Sequence, residues 1–429
     1  MAKTTFYSIR KMENLATAWR HVRKSAFNSS NPKIRGEAAE FEHRINRNLR
    51  KIHEGMRRGS LNLPKDFGVL ADQKKREAQG KDARPIVVAA IENRVIHRAI
   101  LQVLQPRRTL DISSGKPRFE VHDDPRLGFL NNVAKSRFGC GGLIRPYGGV
   151  APAIQVILSA IKDGATHYYI SDLPSFFTTI PRQPVLDKLA SAVDTLETVA
   201  LFDSGLEVEL TNSTELGPYL RLFPSQTIGV PQGSSLSAFA GNVLLYDIDH
   251  EINAMPGITL VRYIDDVIVL AENLEDLTEA IEKLSELLGN YGISLYGPEH
   301  EKSKTGVCSS GLEYLGVYVR GDQTSPTKKS VDNVLDTIDQ TLKASKEGLG
   351  KALRKKAPIE TDLSVGETLS RVRRRVSGWT QAYKFCTDQN QVLEVQNKVA
   401  RKASSYISSV QTQLKGEKDV VRGQAFGGF

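Results

Sequence analysis

Residues 259–271 read TLVRYIDDVIVLA, two apolar runs separated by a pair of adjacent aspartates, Asp265 and Asp266. Short apolar runs with a polar break between them read as strands, and so short a break predicts a tight hairpin turn. Neighbouring carboxylates repel each other. Such a tip is tolerated in water, or beside a cation that compensates its charge. An ordinary acidic turn meets the first condition, so the tetrapeptide Tyr263-Ile264-Asp265-Asp266 does not choose between the two by itself.

A second acidic strand end raises the odds of the cation. In HYYISDL (167–173) an apolar strand ends at Asp172, followed by Pro174-Ser175-Phe176-Phe177. Taken alone, Asp172 reads equally well as a helix N-cap. If its strand lies beside the 259–271 hairpin, three carboxylates converge. Hard oxygen ligands of this kind hold Mg²⁺, which binds through one or two carboxylates plus substrate phosphates. Two such ions roughly 4 Å apart can activate a 3′-hydroxyl and stabilise a leaving pyrophosphate. Between the acidic strands lies Gly229-Val230-Pro231-Gln232-Gly233-Ser234-Ser235, a turn entering a helix N-terminus. Its glycines allow backbone to approach a ligand closely.

The surrounding pattern is mixed. Residues 10–56 predict helices, the second with Phe41, Ile45, Leu49 and Ile52 on one stripe. Arg84-Pro85-Ile86-Val87-Val88 predicts a strand and 92–104 a helix, whereas 106–150 is rich in glycine and proline and predicts no single regular element. From 151 to 320 helices and strands alternate: helix 153–162, strand 167–173, a helix from Gln183, a hairpin-like stretch, helix 235–255, the acidic hairpin, helix 274–289 and a final strand LEYLGVYV. This predicts an α+β layer with helices on a largely antiparallel sheet. Beyond 325 the pattern is helical, with further helices at 364–385 and 389–413, and the glycine-rich end predicts a flexible tail.

The 58 Lys and Arg against 49 Asp and Glu give a net charge of +9. The basic residues cluster at 44–58, 74–84 and 371–375, which favours a nucleic-acid partner over dispersed solvation. Three separated cysteines and eight histidines without HExxH or HxH spacing exclude a zinc knuckle, and predict free thiols in a reducing compartment. No apolar run approaches a bilayer span and the N-terminus lacks an apolar core, so a cytoplasmic protein is expected, with no membrane partner.

The ordered series SDLPSFFTTI, GVPQGSSLS, YIDD, Lys304-Thr305 and Tyr314-Leu315-Gly316 resembles bacterial reverse transcriptases of the group II intron, retron and defence-associated (abortive infection) groups. KDARPIVVAAIENRVIHRAI upstream resembles their fingers, and Ser377-Gly378-Trp379-Thr380-Gln381-Ala382-Tyr383 their thumb. The resemblance covers roughly 55–390. It implies a right-hand polymerase: a helical extension (1–58), fingers (59–150), a palm (151–322), an α-helical thumb (323–415) and a tail (416–429). It also implies an RNA-directed DNA polymerase using two Mg²⁺, with Mn²⁺ as substitute. Asp172 and Asp265 would be the main metal ligands, with Asp266 supporting and the Leu173 carbonyl completing a shell.

By the same resemblance, Phe177 would crowd the sugar 2′-position and select dNTPs, with Phe176 as the alternative gate. Gln232, Gly233 and Tyr263 would line the nucleotide pocket. Arg84 and Lys81 would hold the triphosphate, which suits the forked donors of arginine. Lys304 would protonate pyrophosphate. Arg371, Arg373, Arg374 and Arg375 would hold the template–primer duplex, with Trp379 stacking on it or packing in the core. Thr178-Thr179 replaces the Asp-Asn of intron enzymes, Ser235 and Ala238 stand where that turn usually continues with Pro, and the Asn-x-x-His and Val-Thr-Gly elements of retron enzymes are not found. What remains resembles the defence-associated group, acting on a non-coding RNA, with a homo-oligomer or a partner defence protein left open. Template-independent or protein-primed synthesis needs the same carboxylates, and a non-catalytic, maturase-like RNA-binding role is the third reading.

Overall fold

Local signals set the N-terminal helices, Thr5–Arg10, Met12–Phe27, Pro32–His43 and Ile45–Arg58. Asn31 accepts a hydrogen bond from the Lys33 amide and Pro32 opens the third of them, a paired start signal. Phe41, Leu49, Ile52 and Met56 are buried, and the Trp19 ring lies 4.6 Å from that of Phe41. Arg44, Arg47, Arg50 and Lys51 stay exposed, as their places off the apolar stripe require. The structure is a computed structural model and describes residues 4–29, 31–111 and 118–427.

Strands β1 (Phe67–Ala71) and β2 (Arg84–Val88) form an antiparallel pair, Gly68 opposite Val87. Helix Ile91–Leu104 follows, almost wholly buried, and the short pair β3 (Arg107–Asp111) and β4 (Arg118–Val121) comes next. Gly115 and Pro117, which contributed to the loop expectation, lie outside the described residues. The central sheet has the order β6-β7-β5-β8, from β5 (His167–Asp172), β6 (Thr259–Tyr263), β7 (Asp266–Ala271) and β8 (Lys304–Val307). β7 is buried along five of its six residues because it pairs on both edges and carries helices Val150–Lys162 and Leu274–Gly289.

The chain forms two compact units, residues 1–305 and 306–429. In the second, β9 (Leu312–Tyr314), β10 (Val317–Arg320) and β11 (Gln323–Pro326) form a meander. Helices Lys328–Lys355, Val365–Ala382 and Asn390–Gln413 share a core through Val334, Ile338, Leu342, Val372, Val395, Val399 and Val410. The mixed helix and antiparallel-sheet architecture is the expected α+β class.

Three local expectations fail. LEYLGVYV is a hairpin, not one strand: Leu315 (φ 50°) and Gly316 (φ 77°) both adopt left-handed conformations, so Tyr314 pairs with Val317. Consecutive left-handed residues are the condition for a two-residue turn, and the apolar flanks concealed it. The hairpin-like stretch after helix Arg182–Ala192 is instead helical, Leu196–Ser204 and Ser213–Leu216, because Leu201 and Phe202 bury against the main core. The expected tail contains helix Asp419–Phe426, anchored by a fully buried Ala425 and ended by Gly427 at φ 86°. Residues 428 and 429 lie outside the described residues.

His97 joins the fold to pH. It sits on helix Ile91–Leu104, 5% exposed, with Nδ1 3.3 Å from the hydroxyl of Ser234, the residue that caps helix Ser235–Asn253. Burial, and then the Arg94 guanidinium, push the imidazole down to about 4 from its ordinary 6.5. A group depressed in the folded state contributes stability that is present above the unfolded value and is lost as pH falls toward the folded one. Urea unfolding should therefore show about 2 kcal/mol less stability at about pH 5 than at about pH 7 from this residue. His97→Gln should flatten that slope, and an unchanged slope would show that other groups carry it.

Candidate active site

The acidic tips converge through sheet register. β5 and β7 are antiparallel with Asp172 opposite Asp266, while β6 and β7 pair Tyr263 with Asp266. Directly opposed residues lie about 4.5–5.5 Å apart at their Cα atoms. Asp265 occupies the two-residue turn, and its carbonyl accepts the Leu173 amide at 2.8 Å. Ile264, the other turn residue, has φ 63°. A β-branched side chain there is strained by about 1–3 kcal/mol, so surrounding contacts must impose the turn.

The electrostatics carry the cost of this convergence. Desolvation raises the Asp265 carboxyl above its ordinary range, and Asp172 adds to the rise while Arg84 opposes it. Desolvation first, then Asp265 and Asp172, push Asp266 up to about 6. Asp266 opens to solvent along one side, and that screening limits the energetic weight of its shift. The donors are all oxygen, and a divalent cation would relieve their mutual repulsion, so they fit Mg²⁺ better than zinc. Among the described residues no three His, Cys, Asp or Glu side chains form a complete metal cage. A Mg²⁺ site of this kind relies on substrate phosphates for its remaining ligands.

The Pro-Gln-Gly turn closes one side. Val230 donates its amide to the Phe177 carbonyl at 2.7 Å, and Val87 donates to the Gln232 carbonyl at 2.8 Å. Gly233 has φ 111°, and a Cβ there would sit 2.9 Å from the Val87 carbonyl oxygen, so glycine is needed twice over. These bonds bring β2, the turn and the segment after Asp172 together. Phe176 is buried and a Cβ on Gly241 would meet its ring at 2.9 Å, whereas Phe177 is half-buried. Arg84 is exposed and near enough to act on Asp265; Lys81 is exposed in the bend before β2. Tyr263 is half-buried beside the tip.

Lys304 is exposed and begins β8, the strand beside β5. Lys302, which the sequence reading did not select, is the lysine that interacts electrostatically with Asp172. Its Nζ donates to the Tyr296 hydroxyl at 2.5 Å, and that bond, more than Asp172, raises its pKa. The sequence EHEKSKTG gives no signal that separates the two lysines. Another missed element is the run 138–141. Asn242 Nδ2 donates to the Gly141 carbonyl at 2.6 Å, and a Cβ on Gly141 would lie 2.4 Å from the Ile264 nitrogen. The glycines were visible, but they read only as a loop.

In the second unit, Arg373 and Arg375 are exposed on helix Val365–Ala382. Arg374 is engaged by Glu367 at 2.7 Å, and Arg371 donates to the Asp362 carbonyl. Trp379 is half-buried, its Nε1 donating to Ser330 at 3.0 Å and its ring 5.0 Å from Tyr383.

The reverse transcriptase (RNA-dependent DNA polymerase) family matches residues 73–319, more than half of the chain. Similar solved structures include a partial Cas6-RT-Cas1–Cas2 complex, at 17% identity over 67% of this chain and 43% of that one, TM-score 0.36. Apo telomerase from Candida tropicalis matches at 12% identity over 63% of this chain and 56% of that one, TM-score 0.32. The chain thus spans less than two thirds of each. No curated protein matches. With the carboxylates of the acidic hairpin in register and the family match spanning them, the chain belongs to the reverse transcriptase (RNA-dependent DNA polymerase) family.

Proposed function

We propose that this polymerase adds dNTPs to a 3′-hydroxyl using two Mg²⁺ held by Asp172, Asp265 and Asp266, with Mn²⁺ able to substitute. The observation that carries this reading is the register placing Asp172 opposite Asp266, with Asp265 bonded back to Leu173. Bound metal would supply activation of the hydroxyl and charge stabilisation of the leaving pyrophosphate. Asp172 and Asp265 would be the main ligands, Asp266 would support them, and the Leu173 carbonyl would complete a shell. Arg84, with Lys81, would bind the triphosphate. Gln232, Gly233 and Tyr263 would shape the nucleotide pocket, Lys304 would give a proton to pyrophosphate, and Arg373 and Arg375 would hold the duplex backbone.

Primer extension tests the reading. Incorporation should require an RNA template and a divalent cation, and should stop in excess EDTA. Equal synthesis without RNA would favour template-independent polymerisation. Activity retained in excess EDTA would remove the two-metal mechanism. The departures at Thr178-Thr179 and Ser235 further lead us to propose antiphage defence on a non-coding RNA, with dNTPs as substrates. Sequencing RNA and DNA co-purified with the protein, with phage plating of the wild type against Asp265→Asn, tests that role. Equal plating efficiency would sink it.

Sugar choice gives a second check. Phe176 lies in the core, which supports the half-buried Phe177 as the ring that would meet a sugar. A 2′-hydroxyl against that ring would lose hydration and gain no partner. Phe177→Val should raise rNTP use relative to dNTP by at least about tenfold, or roughly 1.4 kcal/mol. An unchanged ratio in an active enzyme would show that Phe177 is not the gate.

A further inference from the structure

The strained acidic turn needs something behind it. Arg262 immediately precedes Tyr263, and its side chain and that of Asp249 on helix Ser235–Asn253 are each 3% exposed. Arg262 Nε donates to Asp249 Oδ1 at 2.9 Å and Nη2 to Oδ2 at 2.6 Å, a bidentate pair. Its remaining terminal nitrogen, Nη1, donates to the carbonyl of Ile264 at 3.1 Å. The Arg262 backbone is held as well. Its amide donates to the Phe138 carbonyl at 2.7 Å, and its carbonyl accepts the Cys140 amide at 2.9 Å. Gly139 runs against the pair so closely that a Cβ would lie 2.7 Å from both Arg262 Nη2 and Asp249 Oδ2.

We infer that Arg262, fixed by Asp249, is a positioning residue for the reaction: it clamps the left-handed Ile264 peptide and so sets where the Asp265 and Asp266 carboxylates point. This rests on the proposed roles of those two aspartates. The physical case is one of alternatives. A buried pair of charges contributes little net stability compared with apolar residues of the same volume, so stability alone is a weak reason for placing it here. A planar guanidinium, by contrast, can satisfy a carboxylate and a turn carbonyl at once from one rigid group. Lysine carries the same charge on a flexible stem and lacks that fork. A site whose ligands sit on a turn requires such support, because small displacements of reacting groups are costly.

Arg262→Lys is the test, measured beside Asp265→Asn. In Arg262→Lys we expect a folded protein with unchanged template–primer affinity and dNTP KM, and kcat reduced by at least about tenfold. The Mg²⁺ concentration for half-maximal rate should rise. Independently of activity, the amides of 263–266 should exchange hydrogen faster. Asp249→Asn, which keeps acceptors for Arg262 but loses the charge, should show the same pattern more weakly, and it carries the test if Arg262→Lys does not fold. Wild-type kcat and Mg²⁺ dependence in Arg262→Lys would overturn the inference. So would lost stability with unchanged Mg²⁺ dependence and exchange, or failure of both variants to fold, since the pair would then be structural only. An active Asp265→Asn would instead overturn the assignment of the carboxylates.

Discussion

Asp172→Ala is expected to abolish dNTP incorporation, by at least about a thousandfold or roughly 4 kcal/mol of transition-state stabilisation. The argument is electrostatic as well as geometric. Asp172 stands opposite Asp266 across β5 and β7, at the end of β7, whose other five residues are buried. Its carboxylate raises the pKa values of both Asp265 and Asp266, so three like charges are held together at a cost to the fold. Removing one should relieve that repulsion. The variant should therefore be folded, with a thermal midpoint no lower than the wild type, and the Asp266 carboxyl should titrate closer to its ordinary range. A variant keeping even a tenth of the rate would count strongly against Asp172 as a metal ligand. A variant that loses both activity and fold would show that Asp172 serves the sheet end instead.

How much of this was legible beforehand varies with the range of the interaction. The acidic hairpin was readable because turn chemistry and apolar flanks lie within thirteen residues, and helix Ser235–Asn253 because Ser234 supplies its cap within two. The pairing of β5 with β7 spans about a hundred residues, and only the order of motifs suggested it. The Leu315–Gly316 turn was hidden because left-handed leucine is rare and the flanking runs read as one strand. Which of Phe176 and Phe177 is buried was not readable either, since it depends on the packing of Gly241, about sixty-five residues on, against the first ring. Arg262 and Asp249 showed no signal at all. They lie thirteen residues apart on a strand and a helix, and only tertiary packing makes them partners.

Gly141→Ala should lower the rate by about a hundredfold, although the residue touches no substrate in the proposed mechanism. An added Cβ would lie 2.4 Å from the Ile264 nitrogen, 2.6 Å from Ile264 Cγ1 and 2.8 Å from the Tyr263 carbonyl carbon. Backbone cannot rotate aside as a side-chain tip can. Either the acidic turn moves, or the 138–141 run retreats. Retreat would break the Asn242–Gly141 bond of 2.6 Å and the Cys140–Arg262 bond of 2.9 Å, both within buried surroundings. Because a misplacement of about 1 Å at a catalytic group costs about a hundredfold, kcat should fall by that order. Template–primer affinity should change little, since the turn would move while the basic surface stays. Gly289→Ala is the matched control: a Cβ there meets nothing within 4 Å, and its activity should equal the wild type. A folded Gly141→Ala enzyme with wild-type kcat would show that the 138–141 run merely passes the turn. A hundredfold loss with template–primer binding intact would place that run among the supports of the carboxylates.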